Sequence, residues 1–384
     1  MKRRGFIKII AAGGATALYP AVLSSCSTGS EHELKAIESD LRDIRLVLLS
    51  QAMLAPNSHN IQPWKIKLTG DNSFDLYVDQ DRLLPWTDPP ARQIHISQGT
   101  FLETLKIAAS NNGYGTQIRY FPQGEYDNQR IEDKPVASIR LISDPAIKQE
   151  PFYDLLTVRQ SNKRTYNDRA IPESDLQALR ELYPIDGLKP FCSNSKELIR
   201  HLSPMLGKSM AIESNNRDRN KETADLFRFN EAEARNTRDG FSVANNGMTG
   251  FMRFIAETFF LGSREEAYAV DSAFAKEGIK MAYRQAGSAA AYGWIVSRSN
   301  TRLDQVMAGH LYARVNLLSA KLGIAQHPMS QILEEYADMQ DIQKEFLSLL
   351  KVPEGSTVQM LYRLGYANPN PHTLRRPVGD ITYL

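Results

Sequence analysis

Two stretches of this 384-residue chain can be laid on each other without a gap, and that repeat limits the fold more than any other feature. Gly99-Thr100-Phe101-Leu102 through Asn112-Gly113 falls on Gly309-His310-Leu311-Tyr312 through Leu322-Gly323, an offset of 210 residues. Arg92 then falls on Arg302, Leu105 on Val315 and Ile107 on Leu317. Each copy reads as an amphipathic helix stopped by a glycine, and the glycine early in each copy lets another backbone approach closely. A strand pattern follows each copy, Val136 to Ile142 and Thr357 to Leu364. Matched helix, stop and strand predict an α+β chain of two related α/β halves, residues 37–150 and 151–384, paired as a pseudo-dimer.

In the first half a helical pattern runs from about Leu41 to Met53 and ends at Ala55-Pro56-Asn57-Ser58. Trp64 to Leu68 and Phe74 to Val78 alternate around Gly70-Asp71-Asn72 as a hairpin. Residues 94–112 read as the first copy of the repeated helix. The second half carries a stretch, about 205–300, with no counterpart in the first. It begins charged and helical, passes Asp239-Gly240-Phe241 and continues into an apolar run from Met248 to Leu261. Such an insertion suits a lid or a dimer surface, and additional helices packed on the core fit it equally well.

The N-terminus reads as an address. Lys2, Arg3, Arg4 and Lys8 precede a weakly apolar run from Ile9 to Leu23, too short to span a bilayer and apt for a signal peptide. Paired arginines followed by Phe6 resemble a twin-arginine export signal. Leu23-Ser24-Ser25-Cys26 resembles a lipobox, which would place a lipid anchor on Cys26. Residues 1–26 are therefore read as leader, and 27–36 as a tether. The expected location is periplasmic, or membrane-anchored by lipid at Cys26. Removing the leader's four basic residues from the 46 Lys and Arg leaves 42 against 44 Asp and Glu. That balance leaves no basic surface for a nucleic-acid partner. With Cys26 assigned to the anchor, Cys192 has no partner, so no disulfide framework is expected.

Standard catalytic signatures are missing. No G-x-G-x-x-G follows a strand, and there is no complete G-x-x-x-x-G-K-[ST] phosphate loop (Gly207-Lys208-Ser209 lacks the leading glycine) and no G-x-S-x-G elbow. The seven histidines never adopt metal-ligand spacing, so no metal is expected. Three polar segments remain. Ser58-His59-Asn60-Ile61-Gln62-Pro63-Trp64 offers hydroxyl, imidazole and carboxamide groups suited to the polar edge of a ring. Arg159-Gln160-Ser161-Asn162-Lys163-Arg164 presents alternating donors on extended backbone, suited to an anion. Arg375-Arg376-Pro377 follows the last strand. Singly they read as a turn, a solvated basic patch and a charged tail. Together they are the parts of a phosphate-plus-ring cofactor site.

These segments, with Gln326-His327-Pro328-Met329-Ser330 and the closing Tyr362-Arg363-Leu364-Gly365-Tyr366, resemble the flavin-dependent nitroreductase superfamily. The likeness covers most of residues 40–384. It is nearest the branch with two fused halves and a lid insertion, which includes flavin-sequestering members. The resemblance implies a nitroreductase-like fold, FMN as cofactor and a small-molecule electron acceptor. Arg159 and Ser161 would hold phosphate and ribityl together with Arg375 and Arg376. Lys163 would lie by the N1/O2 edge, where positive charge favours reduced flavin. Ser58, Asn60 and His59, with Gln62 of the same motif, would approach the ring from the other half, and Pro328, Met329 and Ser330 would pass N5. Gln160 and the Lys163-Arg164 spacing are not the commonest forms, which leaves open which basic group faces the ring.

The first half has the Ser58–Trp64 loop but no R-x-S-x-K, and the second half has the reverse, so one complete site is expected and not two. The leading reading is an exported FMN oxidoreductase transferring hydride or electrons through flavin N5. The alternatives are a flavin store covered by its lid, and an interaction module that has lost its flavin. A lid bearing Phe241, Met248, Phe251 and Phe254 over the ring predicts slow reduction by nicotinamide nucleotides. Twin-arginine export, which carries folded protein, would let FMN travel with the chain. The plan is also compatible with a homodimer of whole chains.

Overall fold

The computed structural model describes residues 43–182, 185, 187–259 and 261–384. The expected leader, tether and Cys26 anchor lie outside them. Among the described residues no helix is long and apolar enough to cross a membrane.

Helix α1 (Ile44–Ala52) starts where the Asp43 carboxylate accepts the Arg45 N–H. A polar loop leads to β1 (Trp64–Gly70) and β2 (Ser73–Val78), a hairpin with Gly70 opposite Ser73. Helix α2 (Arg92–Asn111) begins at the Asp88 carboxylate, which accepts from Arg92 N–H (2.9 Å) and Ile94 N–H (3.0 Å). It ends at Gly113, φ 73°, a left-handed position that favours glycine. Strands β3 (Tyr114–Tyr120) and β4 (Ala137–Ser143) complete the first half.

The second half repeats the scheme. After α3 (Glu173–Arg180) comes β5 (Leu188–Ser193). An insertion follows with α4 (Lys196–Ser214), α5 (Arg217–Leu226), α6 (Glu231–Thr237), α7 (Gly250–Phe259), α8 (Arg264–Ala267) and α9 (Ala273–Gly287). Then come β6 (Ala291–Ser297), α10 (Arg302–Lys321), β7 (Ala325–Pro328), α11 (Gln340–Leu349), β8 (Thr357–Gly365) and the tail strand β9 (Thr382–Tyr383).

One sheet runs β3-β4-β2-β1-β9 and the other β7-β8-β6-β5, with every pair antiparallel except β1 with β9. The first four strands of the two sheets thus correspond one to one, and the C-terminal tail of the second half supplies a fifth to the first. The insertion sits between β5 and β6, where the first half has only a tight turn. It therefore spans 194–290, not 205–300, and 291–297 is the counterpart of β2.

Helices α2 and α10 cross at the repeated glycines. A β-carbon on Gly99 would overlap the Val306 carbonyl oxygen and lie 2.9 Å from Gly309 Cα. One on Gly309 would overlap the Ile96 carbonyl oxygen and lie 2.8 Å from Gly99 Cα. Glycine is required at both positions because backbone meets backbone there. The repeated arginines are buried and each reaches into the opposite half. Arg92 Nη1 donates to Val358 O (3.0 Å), and Arg302 Nη1 donates to Pro90 O (2.6 Å).

Candidate functional site

A cleft of about 230 Å³ opens along one side of the α2–α10 crossing. The first half contributes the loop after α1, including Ser58, His59 and Asn60, and the start of α2 with Gln93, Ile96, Ser97 and Thr100. The second half contributes Arg159, Gln160, Ser161 and Lys163, Tyr312 of α10, and His327, Pro328 and Ser330 around the end of β7. Phe241 and Asn245 come from the insertion, and His372, Thr373 and Arg375 from the C-terminal strap.

Local chemistry holds each wall. Ser58 N–H donates to Ser97 Oγ (3.2 Å), Thr100 Oγ1 to Pro56 O (2.6 Å) and Trp64 Nε1 to Ser97 O (3.0 Å), which ties the loop to α2. The Arg159–Lys163 segment lies along β7, bridging at Ser161 with Gln326 and donating Asn162 N–H to Gln326 O (2.8 Å). His59, Asn60 and Gln62 all hold left-handed backbone angles, φ 47°, 56° and 53°. Such strain persists only where surrounding contacts enforce it.

The electrostatics are one-sided. Among the described residues, no Asp or Glu lines the cleft, and no carboxylate pairs with Arg159, Lys163 or Arg375. Arg159 Nε donates to Asn316 Oδ1 (2.6 Å). Arg375 donates to Met53 O (2.7 Å), Asn60 Oδ1 (2.6 Å) and Thr373 Oγ1 (2.7 Å). Lys163 Nζ stands 4.3 Å from the centre of the Phe241 ring. Burial pushes Lys163 down to about 8 and Arg159 to about 10. Burial, then Arg159 beside it, brings Arg375 to about 9. All three remain cationic at neutral pH. His59 is pushed down to about 4 by burial and by Lys163, and His372 to about 4 by burial, Arg159 and Arg375. Both imidazoles are therefore neutral. Tyr312 Oη is buried without a hydrogen-bond partner, a polar atom left for a ligand in the cleft that Tyr312 lines.

Most of the residues singled out in the sequence line this one cleft: Ser58, His59, Asn60, Arg159, Gln160, Ser161, Lys163, Pro328, Ser330 and Arg375. Gln62, Met329 and Arg376 stand away from it. Met329 lies in the core with Tyr292, Ile332 and Leu361, because alternation past β7 sends it opposite to Pro328 and Ser330. Arg376, next to Arg375 on extended backbone, faces the other way, toward Asp79 (3.6 Å) and Asp380 O (3.0 Å). Gln62 is fully buried and bonds backbone atoms instead. Of the aromatics expected over the ring, Phe241 lines the cleft. Phe251 and Phe254 of α7 are 74% and 59% exposed.

No protein-family model matches the chain. A Mycobacterium tuberculosis protein named as an NAD(P)H nitroreductase is 26% identical over 137 residues, 36% of this chain and 38% of the relative. PigM of Serratia sp., with a name of the same kind, is 24% identical over 194 residues, 50% of this chain and 52% of the relative. The chain is similar to NAD(P)H nitroreductases. It spans well under two thirds of either relative in those matches. A Bacteroides fragilis nitroreductase solved with bound FMN is 14% identical, with 59% of this chain covered, 96% of that one, and a TM-score of 0.34. An FMN- and NADPH-dependent nitroreductase from a sphigopyxis sp. strain is also 14% identical, with 60% of this chain covered, 97% of that one, and a TM-score of 0.37.

Beyond the nitroreductase-like motifs, the cleft uses residues that sequence reasoning passed over. Gln93, Ile96, Ser97 and Thr100 sit on one face of α2 at helical spacing, indistinguishable in sequence from core positions. Tyr312 was visible only as the repeat partner of Leu102. The polar residue in an otherwise apolar pairing was the available signal. His372 and Thr373 had none, since the strap has no regular structure to give its side chains a period.

Proposed function

We propose that this chain is an FMN-binding oxidoreductase of the nitroreductase type, with one flavin per polypeptide. The observation that supports it best is a cleft holding three cations, Arg159 buried and Lys163 and Arg375 half-buried, with an unpartnered phenol and no acid. Burying such charge is costly unless an anion joins it. The donor set fits FMN. Arg159 and Arg375 would hold the phosphate, and Ser161 and Tyr312 would donate to the ribityl chain or phosphate oxygens. Ser58 and Asn60 would orient the polar edge of the ring. When bound, FMN supplies hydride and electron transfer through its N5. Lys163, cationic below about pH 8, would favour the ring form carrying more negative charge.

The insertion favours a second reading, a protein that stores flavin without rapid turnover. Phe241 lies in the cleft against Lys163 and 5.5 Å from the His59 ring, where a nicotinamide would need room. Export by the folded-protein route and anchoring at Cys26 complete the proposal. Acid-released flavin per polypeptide tests its centre, with a value near one expected. Two per chain, or none in protein prepared with excess FMN, overturns it. Anaerobic stopped-flow bleaching separates the two readings. Slow bleaching by NADH and NADPH beside fast bleaching by dithionite supports storage or another donor, and rapid saturable bleaching by a nucleotide supports ordinary turnover.

A further inference from the structure

Gln62 does not touch the cleft, yet two distant segments meet its own loop at this residue. Its Nε2 donates to Arg238 O (2.9 Å) at the base of the insertion, and its Oε1 accepts the Arg376 N–H (2.8 Å) of the C-terminal strap. Its own N–H donates to Asn57 Oδ1 (2.9 Å), holding the loop's left-handed turn. Asn60 repeats the pattern on the cleft side. Its Nδ2 donates to Gly240 O (3.1 Å) and Leu374 O (3.2 Å), and its carbonyl accepts the Gly240 N–H (3.2 Å). Insertion and strap are joined directly, Arg238 Nε donating to Arg375 O (2.7 Å). Loop to insertion, insertion to strap and strap to loop therefore form a closed ring of bonds, with a fully buried amide at its centre.

All three segments wall the cleft, the loop with Ser58, His59 and Asn60. The insertion's base carries Phe241 and the strap carries His372, Thr373 and Arg375. The loop they hang on holds three residues in strained angles, conformations that relax once the enforcing contacts are gone. We propose that Gln62 is a positioning residue that latches the insertion's base and the strap to the cofactor loop, so that both leave and return together when a flavin-phosphate ligand exchanges. This rests on the FMN reading for its ligand, but the latch itself is a property of the protein alone.

The test is therefore run twice, with Gln62→Met, which keeps the bulk and removes every hydrogen bond of the side-chain amide, and with Arg238→Ala, which cuts the insertion-to-strap corner from a half-buried position. In protein without added flavin, amide hydrogen exchange is followed at residues 238–242 and 372–378, with β4 as internal reference. Both segments are expected to exchange about tenfold faster in each variant while β4 stays unchanged. A rise in only one segment, or in β4 as well, overturns the latch. In FMN-loaded protein, flavin release followed by fluorescence recovery is expected to quicken about tenfold in both variants. Wild-type release rates overturn the proposal. If the wild-type protein retains no FMN, the cofactor reading falls, and hydrogen exchange still decides the latch.

Discussion

The two sides of the α2–α10 crossing make an instructive pair. The repeat places Thr100 and His310 at equivalent positions, on opposite sides of the glycine contact. Thr100 faces the cleft, where three cations have no acid to answer them. His310 faces a closed network: its Nδ1 lies 2.8 Å from Glu103 Oε2 and its Nε2 3.1 Å from Tyr120 Oη. Arg314 Nε donates to the other Glu103 oxygen at 2.5 Å and Nη2 to Glu150 (3.2 Å). Against the upward push of burial, His310, and after it Lys106 and Arg314, hold the Glu103 carboxyl down to about 2. One side has satisfied its charges internally. The other leaves its cations without an acid among the described residues. The doubled plan thus finishes its two equivalent surfaces differently, one closed by its own ion pairs and one lined by cations with no acid among the described residues.

The largest effect should come from breaking the closed side. Glu103→Ala leaves His310 and Arg314 without their shared acceptor, and urea unfolding is expected to show a loss of about 3–5 kcal/mol. FMN affinity of the folded protein should change little. An equal loss of affinity would show that the two sides are one unit.

Arg159→Ala should do the opposite. FMN binding is expected to weaken by about 2–4 kcal/mol, as a charge-assisted contact disappears from a buried phosphate. Riboflavin binding should be unaffected, and the unliganded protein should lose no stability because an uncompensated buried cation has gone. If FMN and riboflavin weaken alike, Arg159 supports the fold and not the phosphate.

Raising pH should separate the liganded and unliganded states without mutation. Burial lowers Lys163 from its usual value to about 8, so the unfolded chain binds more protons above that point and the free protein gains stability as pH rises from 8. FMN affinity should fall over the same interval, since the free protein has lost a cation that the complex keeps. Titrations of affinity and of urea midpoint from pH 6.5 to 9.5 check both signs, and parallel trends would contradict the unpaired-cation account. The smallest effect belongs to the insertion. Phe241→Ala should speed NADH bleaching of bound flavin a few-fold, and no change would show that the ring does not bar the nucleotide.

Much of this was legible in residue order. Glycine spacing at 99 and 309, with stops at 113 and 323, carried the doubled α+β plan because helix periodicity and left-handed stops are local rules. Polar loops at 58–64 and 159–163 stood out because donors crowd there without a helical or strand period to explain them. Other decisions needed three dimensions. Arg375 and Arg376 are equally basic neighbours, and only the strap's path turned one into the cleft and the other toward Asp79. Met329 and Ser330 likewise part company through the direction of a single peptide. Gln62 looked like a ligand contact and is instead the meeting point of segments 176 and 314 residues away in sequence. Local propensity is written in neighbours along the chain, whereas which side a group faces, and whether its charge finds a partner, depends on residues that only folding brings near.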